Sequence, residues 1–459
     1  MESLVFILEK IDAFVWGVPL LVLLMGTGVY FTVALKGLQM RRLPLALRLM
    51  FSDQEGECGD VSSFGALCTA LSATIGTGNI VGVATAVVVG GPGSLFWLFV
   101  AAFFGMATKY AESLLAVKYR TTDEKGQMAG GPMYYIERGL GQKGLAKIFA
   151  VFGIGVAFFG IGTFPQTNAI TEAVRGMVPM PLWVVSLGLT VIVGLVILGG
   201  IRSISRTVER IVPVMAVGYF LAGVVILLAN AQAVPGAIAL IFRSAFQGHA
   251  ALGGFTGATM MMAIRMGMAR GVFSNESGLG SAPIAAAAAR TNSSVRQGLI
   301  SMTGTFFDSI IICSITGLVL VISGLWNEGI EGAALTAQAF NTTFPMMGVG
   351  RWVVSIGLVF FAFTTILGWN YYGERCVVYL FGVKAIFPYK VVYLALVFLG
   401  PFLSLQFIWI TADIVNALMA IPNLIALVGL RKDVLTETRE YFASWAQKNP
   451  GRREPVTAS

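Results

Sequence analysis

The chain has 459 residues, of which 56% are hydrophobic and only 12% charged, with a formal net charge of +8. A water-soluble domain carries about 25% charged residues to clothe its surface. This composition excludes a soluble fold and points to an all-α integral membrane protein in a lipid bilayer. The 55 glycines agree, because membrane helices use Gly to pack closely and to break.

The first apolar run follows Glu2, Glu9, Lys10 and Asp12 with no cleavable leader pattern, so it reads as an uncleaved span. In chain order, apolar runs bounded by charge or by Gly and Pro predict eleven spans. They fall at roughly 15–35, 63–90, 93–117, 148–170, 182–200, 211–230, 256–289, 297–323, 352–381, 390–408 and 410–430. The segment 118–147 reads as a loop with an interfacial amphipathic piece. The segment 431–459 reads as a polar, solvated tail.

Most of the 31 Lys and Arg residues fall on one side if the amino terminus is outside. The opposite side then holds only Lys10, Arg175, Arg243 and Arg351. The positive-inside rule puts the amino terminus out and the carboxyl terminus in, across a bacterial-type inner membrane. Such short basic blocks set topology and build no stripe for nucleic acid. Cys58, Cys68, Cys313 and Cys376 show neither metal spacing nor a disulfide framework. The single histidine, His249, falls in a loop, which argues against histidine-based proton relays and metal sites. No organic cofactor, catalytic dyad or obligate protein partner is expected.

Two spans carry polar interruptions at mid-depth. The second reads Ser72-Ala73-Thr74-Ile75-Gly76-Thr77-Gly78-Asn79-Ile80, and the seventh reads Phe273-Ser274-Asn275-Glu276-Ser277-Gly278-Leu279-Gly280-Ser281-Ala282-Pro283. Gly costs about 1 kcal/mol against Ala in a helix, and small polar side chains compete for the backbone. Both helices should therefore unwind there. Freed peptide groups are tolerable in a membrane only where they line a polar cavity. Freed carbonyls suit Na⁺ and freed amides suit a carboxylate. Close packing through small residues is the alternative explanation for each segment alone. The five-span separation of the two breaks favours an inverted 5+5 repeat, 63–230 and 256–430, with residues 1–62 an added helix and loop and 431–459 a tail.

These runs, with Gly130-Gly131-Pro132-Met133-Tyr134-Tyr135 and Thr364-Thr365-Ile366-Leu367-Gly368-Trp369-Asn370-Tyr371-Tyr372-Gly373-Glu374, resemble the motifs of the alanine or glycine:cation symporter family. The resemblance covers nearly the whole chain. It implies a fold similar to the sodium-coupled leucine-transporter class and import of a small neutral amino acid with sodium by alternating access. A same-fold carrier of a nucleobase or metal ion is the competing reading.

Carried over residue by residue, the resemblance implies a sodium site from Thr364, Thr365 and the Phe361 carbonyl, with the carbonyls of Ser72 and Ile75. Without it, helical threonines would simply bond back to their own carbonyls. A second sodium would involve Thr74, Asn79 and Asp308, although no motif fixes whether Asp308 or Thr305 is the partner. Thr77, Gly78 and Asn79 would meet the substrate carboxylate. Phe273, Ser274 and Asn275 would meet its ammonium and side chain, and Gln166 would line the pocket. Trp369 either closes the pocket over a small side chain or merely packs.

Ionisable groups inside spans are costly and are usually paired or functional. Glu276 is expected to pair with Arg270, and Lys109 with Glu112. Arg265 and Asp413 have no assigned partner.

Overall fold

The computed structural model describes residues 2–52, 58–247, 260–344 and 348–448. His249, the first residues of the second expected repeat (256–259) and the end of the tail (449–459) lie outside them. The described chain is almost entirely helical. Helices α1 (Glu2–Val15) and α2 (Val18–Ala34) come first. Pro19 sits in the first turn of α2, where its missing N–H leaves no bond unmade. Short α3 (Leu38–Arg41) and α4 (Leu43–Leu49) lead to α5 (Ser63–Thr74), whose first turn is capped by Ser62 Oγ accepting the Gly65 amide at 2.9 Å. One tight turn, Thr77–Asn79, separates α5 from α6 (Val81–Gly90), and the two segments meet at 57°.

Helix α7 (Ser94–Lys118) is followed by a two-stranded hairpin, β1 (Thr121–Thr122) with β2 (Met128–Ala129), and by α8 (Pro132–Leu140). Then come α9 (Lys143–Phe159), α10 (Phe164–Met177), α11 (Leu182–Ile197), α12 (Gly200–Ala229) and α13 (Val234–Gln247). The second interrupted helix is α14 (Met260–Asn275) with α15 (Ala282–Ala287). A wide π-helical turn, Phe306–Cys313, lies between α16 (Ser294–Thr305) and α17 (Ser314–Ser323). The chain ends with α18 (Gly332–Thr343), α19 (Val349–Phe381), α20 (Ile386–Leu399), α21 (Leu405–Gly429) and α22 (Arg431–Lys448).

The surface is inverted relative to that of a soluble protein. Val214 and Leu195 are 74% and 73% exposed, whereas Thr77, Asn79, Gln166, Ser274 and Asp308 are all buried. Apolar side chains outward and hydrogen-bonded polar groups inward are what a hydrocarbon solvent requires.

Among the described residues, eight helical stretches are long and apolar enough to cross a bilayer, or nine with the bent α5–α6 pair. The expected eleven is not reached on that basis. The run 182–200 forms only the 16-residue α11, and 256–289 is divided into α14 and α15. Sixteen residues rise about 24 Å, less than a hydrocarbon core of about 30 Å.

Two polar segments are more ordered than expected. The loop 118–147 contains the hairpin, α8 and the start of α9. The tail forms α22, docked on α7: Lys118 Nζ pairs with Asp433 at 2.8 Å and Glu437 at 3.1 Å, and the Tyr110 hydroxyl meets Thr438 Oγ1 at 2.7 Å. Just past α7, the Arg120 guanidinium donates to the carbonyls of Cys58, Ala287, Ala289 and Thr291 at 2.5–3.0 Å. It closes the far end of α15.

Candidate functional site

The first break is a close approach that only glycine allows. A Cβ at Gly76 would lie 2.5 Å from Thr365 Oγ1, and one at Gly78 would lie 3.0 Å from Ser274 Cα. The unwound chain thus touches α19 on one side and the end of α14 on the other. Its amides find neutral acceptors. Asn79 Oδ1 accepts from the Gly76 amide at 2.9 Å, and Gln166 Oε1 accepts from the Thr77 amide at 3.3 Å. Gln166 Nε2 in turn donates to Thr77 Oγ1 at 3.0 Å. Among the described residues, the Gly78 amide makes no hydrogen bond to backbone outside its own helical turn.

Asp308 joins the two breaks. It lies in the π-helical turn, a widened geometry frequent at functional sites. Its carboxyl accepts from Asn79 Nδ2 at 2.7 Å, from Ser274 Oγ at 2.9 and 3.1 Å and from Ser309 Oγ at 2.7 Å. Asn275 Nδ2 reaches Ser309 Oγ at 3.0 Å, and Cys313 Sγ lies 3.3 Å from Asn79 Nδ2. Asn79, Ser274, Asn275 and Asp308 therefore form one buried cluster. Phe273 is turned to another neighbourhood, with its ring 5.3 Å from Trp409.

At the proposed sodium position, Thr365 Oγ1 is 3.5 Å from the Ile75 carbonyl and 2.9 Å from the Phe361 carbonyl. A Cβ at Gly368 would lie 2.8 Å from Ser72 Oγ, so Ser72 also faces α19. Thr364 points elsewhere. Its hydroxyl bonds to the carbonyls of Phe360 and Phe361 and faces Met215 Sδ at 3.8 Å. Neighbouring helical residues point about 100° apart, because a turn takes 3.6 residues, so one of the two must leave the break. Thr74 is likewise bonded to its own helix, at Ala70 and Leu71.

The second break spans 276–281. Glu276, Gly278 and Gly280 all have left-handed φ, at 57°, 92° and 80°. For the non-glycine Glu276 that conformation is strained. Its carboxylate accepts from Trp369 Nε1 at 2.8 Å and Ser281 Oγ at 2.6 Å. Trp369 thus packs at the break, 5.3 Å from the Tyr372 ring, whose buried hydroxyl has no partner among the described residues.

One charge assignment needs correction, and two residues left without a partner gain one. Arg270 pairs with Asp413, not Glu276, at 2.5 and 3.1 Å. Six residues make one and two-thirds turns, so Arg270 and Glu276 leave the helix on different sides. Arg265 also has a partner, Asp12 at 3.7 Å. Lys109 and Glu112 remain electrostatic neighbours, as expected, but the hydrogen bonds of both go to the second break. Lys109 Nζ donates to the Asn275 carbonyl at 2.7 Å. Glu112 Oε1 accepts the amides of Gly278 and Gly280, each at 3.1 Å, and Asn423 Nδ2 at 2.5 Å. Glu374, at the end of the ninth-span motif, lies in an ion network with Arg375 and Lys390, at 2.7 and 3.0 Å.

The sequence model described as the Sodium:alanine symporter family matches residues 1–455. The chain belongs to the sodium:alanine symporter family. It is 51% identical to the sodium/alanine symporter AgcS of Methanococcus maripaludis, over 95% of this chain and 97% of that one. It is 60% identical to an uncharacterized transporter of Haemophilus influenzae, covering 95% and 96% of the two chains. It is 34% identical to the amino-acid carrier protein AlsT of Bacillus subtilis, covering 96% and 93%. As a member of the sodium:alanine symporter family the chain is a sodium-coupled amino-acid symporter.

Reading the sequence missed Ser309, Cys313, Tyr135 and Asn423 as members of this buried network. Asn423 had a visible signal: an amide in the apolar run of the last span, a group that hydrocarbon tolerates only with a partner.

Proposed function

We propose that this symporter imports alanine or glycine together with sodium, by alternating access around the contact between its two helix breaks. The observation that carries the reading is Asp308, a buried carboxyl hydrogen-bonded to Asn79 of one break and Ser274 of the other. Its hydrogen-bond donors among the described residues are neutral and the Lys109 charge acts on it only from a distance, so a bound cation is a natural complement to its charge. The amino acid's ammonium meets Asp308, Ser274 and Asn275, with Phe273 behind them. Its carboxylate meets the Gly78 amide with Thr77, Asn79 and Gln166. Trp369 closes the space, and the close approaches at Gly76 and Gly78 favour a side chain no larger than a methyl group.

Sodium is held by the oxygens of Ile75, Phe361 and Thr365 with Ser72 beside them, and Thr364 supports this wall from behind. A second sodium would sit at Asn79 and Asp308, near Thr74. One sodium entering down about 100 mV supplies roughly 2.3 kcal/mol, and each tenfold gradient adds about 1.4 kcal/mol. Together these sustain accumulation of several hundredfold.

In this reading the chain crosses a bacterial inner membrane eleven times, amino terminus outside and carboxyl terminus in the cytoplasm. Residues 63–230 and 256–430 are the inverted five-helix repeats. The test is uptake of radiolabelled alanine, glycine and larger amino acids into proteoliposomes, with and without a sodium gradient. Uptake of alanine or glycine that requires sodium is expected; its absence would defeat the assignment.

A further inference from the structure

The two breaks are held by different chemistry. Neutral amide groups hold the first. The second is held by charge from α7. Lys109 closes the last carbonyl of α14, at Asn275. One turn later, Glu112 gathers the amides of Gly278 and Gly280. Asn423, which also donates to Glu112, returns to the Gly278 carbonyl at 2.8 Å, and its Oδ1 accepts from the Tyr135 hydroxyl. The motif 130–135 wraps the same region. A Cβ at Gly130 would lie 2.4 Å from the Ala287 Cβ, one at Gly131 would lie 2.7 Å from Ile284, and one at Gly280 would lie 2.6 Å from Pro132. A cation and an anion already stand where the carboxylate and ammonium of a free amino acid would otherwise be drawn.

We propose that Lys109 and Glu112 are positioning residues for transport: they satisfy the backbone of the second break themselves, so that it presents the Ser274 and Asn275 side chains to the amino acid. This rests on the reading that those side chains meet the substrate. The amino acid's charged ends are then read at Gly78 and Asp308, and α7, α8 and α21 set the aim of the second break. The sodium oxygens at Ile75 and Thr365 lie outside this arrangement, so removing the pair should divide the two half-saturation values.

The experiment compares wild type with Glu112→Ala, Glu112→Gln, Lys109→Met and the double variant Lys109→Met/Glu112→Gln in proteoliposomes. Glu112→Ala and Lys109→Met are expected to raise the alanine half-saturation about tenfold or more, while the sodium value at saturating alanine moves less than twofold. Glu112→Gln keeps an oxygen for the glycine amides and should be milder than Glu112→Ala. The double variant, which leaves one buried carboxylate fewer without the Lys109 charge, should be less impaired than Lys109→Met alone. An unchanged alanine value, or equal loss for alanine and sodium, overturns the proposal. Amide exchange over 276–281 reads the same claim without transport. Faster exchange confined to 276–281 in folded Glu112→Gln supports it, and identical exchange overturns it. If wild type itself takes up no alanine with sodium, the functional reading fails, and the exchange result still decides the role of Glu112 in holding the break.

Discussion

The Asn79 side-chain amide donates to Asp308 at 2.7 Å across 229 residues of chain. Through its other end, the same side chain accepts the Gly76 amide at 2.9 Å. Any displacement of the Asp308 carboxyl is therefore transmitted to the unwound turn, where an ion and a solute would be bound together.

Asp308→Asn keeps the shape and removes the charge. A hydrogen bond to a charged group contributes about 1.5–3 kcal/mol, so alanine binding in saturating sodium should weaken at least tenfold. The folded fraction, judged by thermal melting in detergent, should be retained. Wild-type affinity in this variant would remove Asp308 from the site.

Thr364 and Thr365 should not be equivalent. Thr365→Val removes the hydroxyl beside the Ile75 carbonyl and should raise the sodium half-saturation about tenfold, the effect of roughly 1.4 kcal/mol. Thr364→Val removes a hydroxyl that faces Met215 and its own helix, and should move it by less than about threefold. Sodium titrations of uptake in the two variants check this; the reverse order would mean that the ion sits on the other face of α19.

Gly76→Ala and Gly280→Ala should fail for different reasons. The first drives a methyl into Thr365 Oγ1 and should abolish sodium-dependent uptake while the protein still folds. The second forces a side chain into a left-handed backbone and against Pro132, a cost of about 1–3 kcal/mol for the backbone alone. It should lower the melting temperature. Melting curves beside uptake rates separate the two effects.

The Arg270–Asp413 pair is mostly buried, with both side chains 11% exposed. Removing one partner from such a pair is commonly worse than removing both. Arg270→Met should therefore destabilise the protein more than Arg270→Met combined with Asp413→Leu. A double-mutant cycle of thermal stability measures the coupling; additive losses would show that the two charges act independently.

The breaks themselves were legible, because Gly, Thr and Asn in the middle of an apolar run leave few other options. The clustering of Asn79, Ser274 and Asp308 was expected only in part, because nothing in Phe306–Cys313 announces a π-helical turn. Lys109 and Glu112 were visible as a pair at i,i+3, yet that spacing says nothing of backbone groups in a helix more than 160 residues away. Their hydrogen bonds go to bare peptide ends, while the two charges stay within electrostatic reach of each other. Arg270 was likewise assigned locally, while its partner lies 143 residues on. For Thr364 and Thr365 the sequence located the wall but could not show which of two adjacent hydroxyls faced inward.

Arg120 acts as a keystone. One flat cation fastens two distant stretches of backbone, the chain at Cys58 and the stretch from Ala287 to Thr291. A guanidinium has five donors in a fixed plane, whereas an ammonium has three on a single nitrogen. Lysine in its place would leave some of these oxygens stranded, so an exchange conserving charge would still loosen the junction between Cys58 and the stretch from Ala287 to Thr291.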